Sequence, residues 1–188
     1  MKPVPQLRLS HMGMFVRDIE RMAAFYKEVL GFVETDRGAA RGHQIVFLSR
    51  DAAAHHQLVL ESGRPGDAGA THAIQQISFK VNALDDLRMM YRAVWDRPDI
   101  TDLRGVDHGI AWSLYFRDPE GNRIEVYLDT PWHVAQPHGH DLDLSLSDQE
   151  IHRRTEERIG ADPTLKPVAE WQREQIGKLQ AAGVQTRD

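Results

Sequence analysis

Glu125 is the residue whose type and position most strongly indicate chemistry in this sequence. It lies within residues 112–128, where β-branched and aromatic residues flank a turn-forming segment at 118–122, a pattern that predicts two strands joined by a turn. Side chains alternate faces along a strand, so Glu125 and Tyr127 share one face and the apolar neighbours share the other. A carboxylate on a packed strand requires a cationic partner. An arginine, an exposed sheet face and a metal ion are the three explanations open.

Histidine is the second residue type that can carry chemistry here. The chain has ten histidines and no cysteine, which excludes disulfides, thiolate metal ligands and a thiol nucleophile. Imidazole titrates near neutral pH and is a common metal ligand. The histidines matter for function only where the fold brings some of them together.

The composition limits the classes of partner. With 188 residues and a formal net charge of −5, and a pI near 6.0, the chain is a poor match for nucleic acid or an anionic membrane surface. The first residues lack the apolar core of a signal peptide, and no stretch approaches transmembrane length. We therefore expect a cytoplasmic protein with no nucleic-acid or membrane partner.

The elements that would position these residues occur twice in the same order. The first copy has a strand, a helix and three strands, at residues 7–16, 18–30, 32–35, 44–49 and 57–61. The second copy has the same succession, with strands at residues 74–81, 100–103, 111–116 and 124–128 and a helix opening at Asp85. Equivalent residues such as Val16 and Val81 stand 65 positions apart. The repeat indicates two copies of one unit, each needing the other to bury its sheet.

The predicted helices have recognisable ends. Asp18 is the expected N-cap of the first helix and Gly31 follows its last turn. The second helix is predicted to bury one apolar stripe, formed by Leu87, Met90, Tyr91 and Val94.

The character of the chain changes after Thr130. Ser147 begins a capping-box sequence for a helix to about Ile159, and a second helix is predicted from Pro167 to about Leu179 with Trp171 as its anchor. We expect one domain over residues 1–132, with modules at about 7–63 and 72–130, and a helical extension over 133–188. Whether the extension packs on the modules or on a partner subunit stays open.

With its two β-α-β-β-β units and the segment D-P-E-G-N-R-I-E at residues 118–125, the chain resembles the vicinal oxygen chelate superfamily over residues 7–132. That superfamily includes glyoxalase I, the bleomycin and fosfomycin resistance proteins, and the type I extradiol dioxygenases. The resemblance implies an α+β fold in which two βαβββ modules form a half-open mixed-sheet barrel, with a metal inside it in the enzymatic members. It also implies a homodimer, since such barrels usually pair.

Within the superfamily the chain looks most like the small extradiol dioxygenases related to 2,3-dihydroxybiphenyl dioxygenase. The resemblance implies that His11 and Glu125 are metal ligands. It implies that His56, the second residue of a His-His pair, is a general acid and base that faces inward, and that Tyr115 and His108 position substrate oxygens.

One position departs from the dioxygenase pattern. The family's second histidine ligand, on the first strand of the second module, is replaced by Gln76, and Gln75 precedes it. The implied ligand set becomes His11, Gln76 and Glu125. Some glyoxalase I enzymes resemble this chain in using a Gln ligand, but an amide oxygen is a weaker donor than imidazole, so affinity for ferrous iron should fall. The alternative is a buried Gln76 hydrogen-bonded to backbone.

The function that the resemblance implies is ring cleavage of a catechol-like aromatic substrate with dioxygen. Fe(II) is the expected cofactor, with Mn, Ni or Zn as alternatives. Two other functions stay open: a non-oxidative lyase, isomerase or transferase of the glyoxalase type, and a metal-free binding protein of the resistance type. Oxygen dependence separates the first two, and the retention of His11 and Glu125 counts against the third.

The remaining aromatic residues are expected to have structural positions. Five histidines are predicted to be exposed to solvent: His43, His133, His138, His140 and His152. Four large aromatic residues are predicted to lie in the core: Trp112, Phe79, Phe47 and Trp132.

Overall fold

The computed structural model describes residues 9–66 and 74–183. Residues 7–8 of the predicted first strand, 67–69 of the linker and 72–73 at the start of the second module lie outside the described residues. The first module contains, in order, β1 (Met12–Val16), α1 (Ile19–Glu28), β2 (Val33–Ala40), β3 (His43–Ser49) and β4 (Leu58–Ser62). The second contains β5 (Ile77–Lys80), α2 (Leu84–Val94), β6 (Thr101–Asp107), β7 (Ala111–Arg117) and β8 (Arg123–Asp129).

Beyond these modules the chain continues with short strands and two helices. They are β9 (Trp132–His133), β10 (His140–Asp141), α3 (Asp148–Ile159), β11 (Lys166–Pro167) and α4 (Val168–Ala181). The helix at 148–159 begins after Ser147, whose hydroxyl accepts a hydrogen bond from the Glu150 N–H. Both predicted N-caps are confirmed, because Asp18 likewise accepts from the Arg21 N–H at the start of α1.

Each module forms its own mixed sheet with the same strand order. The first sheet is ordered β1-β4-β3-β2, with β1 parallel to β4. The second is ordered β10-β6-β7-β8-β5, with β5 parallel to β8. Within the described ranges no strand pairing joins the two sheets, so they do not close into a barrel. The predicted α+β fold of two βαβββ modules is confirmed, and β10 adds an edge strand to the second sheet from beyond the repeats.

The hairpin turn at 118–122 also joins the two modules. The Glu120 carboxylate, whose side chain is 5% exposed, accepts hydrogen bonds through Oε1 from the backbone N–H groups of Arg17 at 2.7 Å and Asp18 at 2.9 Å. Tyr26 of α1 donates to Asp118 Oδ2. The turn that connects β7 to β8 therefore also holds the start of α1 in the other module.

Replacing Glu120 with Ala is expected to lower the free energy of unfolding by about 2 kcal/mol, because two backbone N–H groups at the start of α1 lose a charged acceptor. Urea denaturation measures this change. Glu170→Ala, at an exposed position on α4, is the matched control and should leave the unfolding midpoint nearly unchanged. Equal stabilities of the two variants would show that the turn does not couple the modules.

The helix α3 packs against the second sheet of its own chain. Trp112 Nε1 donates to Thr155 Oγ1, which in turn donates to Asp107 Oδ2, each at 2.8 Å. All three residues are at most 1% exposed. The helix α4 has no buried residue, and its predicted anchor Trp171 is half-buried and stacks on His133. The first helix of the extension is thus part of the core packing, whereas the second lies at the periphery.

Some sequence predictions about burial were wrong. Of the five histidines predicted to be exposed, only His140 is; the other four are half-buried against aromatic or acidic side chains, as in the contacts of His152 with Trp112 and of His138 with Asp162. Trp112 is in the core, Phe79 and Trp132 are half-buried and pack against it, and Phe47 is half-buried. Tyr91, predicted on the buried stripe of α2, is 42% exposed because its ring borders a surface groove lined by residues 142–145.

None of the helices described in the structure combines the length and the apolar character needed to cross a membrane.

Candidate active site

Glu125 is a buried carboxylate in the middle of the second sheet, with 8% of its surface exposed. On β8 it lies directly opposite Tyr115 of β7 and Ser78 of β5 in the strand registers. Alternation along each strand puts these three side chains on one face of the sheet. The strand pairing therefore builds a polar cluster around the carboxylate.

Four neutral donors surround the Glu125 carboxylate. Its Oε1 accepts hydrogen bonds from Ser113 Oγ at 2.9 Å and Tyr115 OH at 2.5 Å. Its Oε2 accepts from Gln76 Nε2 at 2.8 Å and Ser78 Oγ at 2.5 Å. Within residues 9–66 and 74–183 no lysine or arginine forms an ion pair with Glu125. Among the described residues, an exposed sheet face and an arginine partner are therefore excluded as explanations for Glu125. Neutral hydrogen-bond donors stabilise its negative charge.

His108 extends the cluster from Tyr115 toward the C-terminal extension. Its Nε2 lies 3.0 Å from Tyr115 OH, and its Nδ1 lies 2.6 Å from the carbonyl oxygen of His138. A carbonyl only accepts hydrogen bonds, so Nδ1 carries a proton and donates it. Gln136 Nε2 donates to the His108 carbonyl. Residues beyond 132 therefore fix the ring orientation of His108.

Tyr115 remains a protonated phenol in this environment. Burial raises its pKa, and the hydrogen bond to the Glu125 carboxylate and its negative charge raise it further. Glu125, Tyr115 and His108 border one cavity of about 480 Å³, which a small aromatic molecule can fill. Its other lining residues include Ser78, Ile110 and Tyr127.

His11 and His56 form a separate pair on the first module. Their ring centroids are 4.3 Å apart, and His56 Nδ1 lies 2.9 Å from His55 Nδ1. Burial, and then the charges of His11 and His55, lower the pKa of His56. Its imidazole is therefore neutral near pH 7. Between the described residues, no hydrogen bond or ring contact joins this pair to the cluster at Glu125.

The side chains proposed as ligands are of types that a divalent metal can use. Glu125 is a buried anion with no cation paired to it by the described residues, and imidazole, carboxylate and amide oxygen are all ligands of first-row metals. The described part of the chain contains no group of three His, Cys, Asp or Glu that could hold a metal, so a site at Glu125 requires Gln76. The Gln76 amide nitrogen now faces the carboxylate, and ligation requires the amide to turn its oxygen inward.

Two serines of the cluster were missed from the sequence. Ser113 and Ser78 both donate to Glu125. Ser113 lies two residues before Tyr115 on β7, so strand alternation in the sequence already places both side chains on one face. Ser78 was not identifiable, because its position opposite Glu125 depends on the parallel register of β5 and β8.

Comparison with known proteins agrees with this fold. A model of the Glyoxalase/Bleomycin resistance protein/Dioxygenase superfamily matches residues 8–126. Biphenyl-2,3-diol 1,2-dioxygenase 3 of Rhodococcus globerulus is 31% identical over 126 residues, which are 65% of this chain and 63% of that protein. Biphenyl-2,3-diol 1,2-dioxygenase 2 of the same organism is 30% identical over 129 residues, with the same two shares. The chain thus spans about 63% of the length of each relative.

A solved structure shows the same fold. The crystal structure of a glyoxylase/bleomycin resistance protein/dioxygenase domain from Frankia sp. EAN1pec superposes with a TM-score of 0.58 at 20% identity, covering 67% of this chain and all of that one. The resemblance deduced from the sequence is confirmed. Since the superfamily model matches well over half of the 188 residues, this chain belongs to the Glyoxalase/Bleomycin resistance protein/Dioxygenase superfamily.

Proposed function

We propose that this protein is a metal-dependent, extradiol-type dioxygenase that cleaves the ring of a catechol with dioxygen. The observation that carries the proposal is the buried Glu125 carboxylate, linked through Tyr115 to His108 at the wall of a cavity of about 480 Å³. The names of the two Rhodococcus relatives, both biphenyl-2,3-diol dioxygenases, support the same reaction class.

His11, Gln76 and Glu125 are the residues that would hold the metal, and Fe(II) is the ion that we expect, with Mn, Ni or Zn as the alternatives. A bound ferrous ion would supply Lewis-acid activation of the catechol oxygens and a path for electrons from the catechol to dioxygen. Gln76 distinguishes this set from one with two histidines. Because its amide oxygen is a weaker donor than imidazole, the affinity for Fe(II) should be modest.

The other residues bind the substrate and hold protons. The reaction puts both atoms of dioxygen into the ring-opened product, and the catechol hydroxyl protons must be held and returned. Tyr115 keeps its proton, and its single O–H, which donates to Glu125 here, would turn to donate to a substrate oxygen. His108 holds a proton on Nδ1, which leaves Nε2 facing Tyr115 as the atom that exchanges a proton. His56, neutral near pH 7, can accept a proton on a ring nitrogen.

Dioxygen uptake by anaerobically purified protein tests the proposal. The protein is loaded with Fe(II) and given catechol or 2,3-dihydroxybiphenyl. We expect stoichiometric uptake with a yellow ring-opened product, both lost in His11→Ala. Bound iron without uptake for either substrate would overturn the proposal. Failure of iron to bind would likewise overturn it.

Replacing His56 with Ala is expected to leave metal binding intact and to lower kcat by about a hundredfold or more, because the neutral base is lost. His43 of β3, whose ring contacts Phe15, supplies the control His43→Ala, which should keep most activity. Metal content is measured on the same samples as turnover. Loss of metal in His56→Ala would instead make His56 a ligand.

A non-oxidative lyase, isomerase or transferase of the same superfamily is the second candidate. Gln76 favours it, since an amide ligand suits Mn, Ni or Zn chemistry that needs no dioxygen. Metal-dependent turnover of a substrate under strictly anaerobic conditions would support this candidate over the dioxygenase.

A further inference from the structure

A second cavity of about 330 Å³ adjoins the one at Glu125. The two cavities share Tyr115 and His108 as lining residues. The second one is bordered by two guanidinium groups, those of Arg104 and Arg123, against one carboxylate, Asp141. It is therefore a small space with excess positive charge, next to the proposed ring-binding cavity.

The strand registers place both arginines beside the cluster. Arg104 of β6 lies opposite Tyr115 of β7, which lies opposite Glu125 of β8. Arg123 precedes Glu125 by two residues on β8 and so points to the same face of the sheet. Both arginines therefore lie on the face of the sheet that carries Glu125 and Tyr115.

Arg123 has a donor with nothing to bind. Its Nε is buried and has no hydrogen-bond partner among the residues that the structure describes. A buried donor without an acceptor costs about 1–3 kcal/mol, and more when it is charged. Arg123 also borders the cavity, so its guanidinium is not fully satisfied by the described residues.

Arg104 borders the same cavity and has no acidic partner among the described residues. Its guanidinium carbon lies 5.7 Å from the centroid of the Tyr115 ring, a cation–π geometry. Over residues 9–66 and 74–183 it forms no hydrogen bond or ion pair. Its N–H groups are thus available to a ligand.

We propose that this cavity binds a carboxylate group on the aromatic substrate, so that the preferred catechol carries a short acidic side chain. Guanidinium groups match a planar carboxylate through paired hydrogen bonds. Arg104 and Arg123 can each present such a pair at the cavity, and Gln76 and His140, which also border it, add polar groups. The catechol part of this inference rests on the proposed function, whereas the carboxylate part does not.

Binding of a carboxylate without catechol hydroxyls tests the inference independently of metal and turnover. Titrations with 3-phenylpropionate and with the neutral 3-phenylpropanamide are followed by NMR. We expect the wild-type protein to prefer the acid, and Arg123→Gln and Arg104→Gln each to weaken its binding by about tenfold or more. Arg92→Gln, at an exposed position on α2, should bind as the wild type does, and thermal unfolding checks that all variants are folded.

Several results would overturn the inference. The first is a wild-type protein that binds 3-phenylpropionate no more tightly than 3-phenylpropanamide. The second is unchanged binding of 3-phenylpropionate in Arg123→Gln. The third is tighter binding of inorganic phosphate than of 3-phenylpropionate. Arg123→Lys keeps the charge without the planar fork, so partial rescue of binding would show that charge contributes alongside geometry. A full rescue would contradict paired hydrogen bonding by Arg123.

Turnover then separates this inference from the proposed function. The kcat/KM for 3-(2,3-dihydroxyphenyl)propionate is compared with that for the uncharged 3-propylcatechol. Dioxygen uptake with the uncharged substrate and no preference for the acid would contradict the carboxylate site alone. Absence of uptake with both substrates, together with arginine-dependent binding of 3-phenylpropionate, would contradict the dioxygenase proposal alone.

Discussion

Glu125→Gln is expected to abolish turnover and to weaken divalent-metal binding by about a hundredfold or more, while the protein stays folded. The amide matches the carboxylate in shape but has no charge to offer a metal. The fold should survive, because the Ser78, Ser113 and Tyr115 hydroxyls can rotate to accept hydrogen bonds where they now donate. The Gln76 amide can turn in the same way. The variant thus separates the charge of Glu125 from its packing.

The measurements for this variant are metal affinity by anaerobic titration, turnover, and the unfolding midpoint. Glu28→Gln is the matched control, because it makes the same chemical change at an exposed position on α1, away from the cavity. It should retain metal binding and activity. Full activity in Glu125→Gln would remove this carboxylate from the proposed chemistry. A wild-type protein that binds no divalent metal would do the same.

Trp112→Ala is expected to produce the largest loss of stability of any substitution considered, about 4 kcal/mol. Trp112 is 1% exposed, and its indole N–H donates to Thr155 of α3. Its ring packs edge-on against Trp132 and His152. Removing it leaves a cavity between the second sheet and α3, which the surrounding side chains can fill only in part.

Urea or thermal denaturation measures the effect, with an expected fall in Tm of roughly 10 °C for a chain of this size. Trp171→Ala is the matched control, since Trp171 also contacts a histidine ring, His133, but lies half-buried on α4. It should cost about 1 kcal/mol. Equal losses in the two variants would show that α3 is no more tightly integrated into the protein than α4.

The domain boundary stays a prediction from the sequence. The extension from residue 133 onward contributes β10 to the second sheet and a helix to its packing. It also contributes the His138 carbonyl and the Gln136 side chain that hold His108. We propose that residues 133–183 form one functional unit with the two modules. Homodimer formation is a separate prediction, which light scattering can test.

The sequence by itself determined the two repeated units and the unusual position of the Glu125 carboxylate within them. Alternating apolar residues, the Asp18 and Ser147 caps and the 65-residue offset are local signals, and local signals specify strands, helices and their order. The same logic marked Glu125, because a carboxylate in a strand of otherwise apolar and aromatic residues needs a partner on its own face. It also placed Tyr115 on a strand leading into the same turn.

Only the tertiary structure decided which polar groups meet. Ser78 reaches Glu125 through a parallel register between strands 47 residues apart, and His108 is oriented by a carbonyl 30 residues further along the chain. The unpaired Nε of Arg123 and the burial of His152 between tryptophans likewise depend on contacts between distant segments. Periodicity reports the face on which a side chain lies but not its partner, because partners are set by sheet register and by the packing of the C-terminal extension.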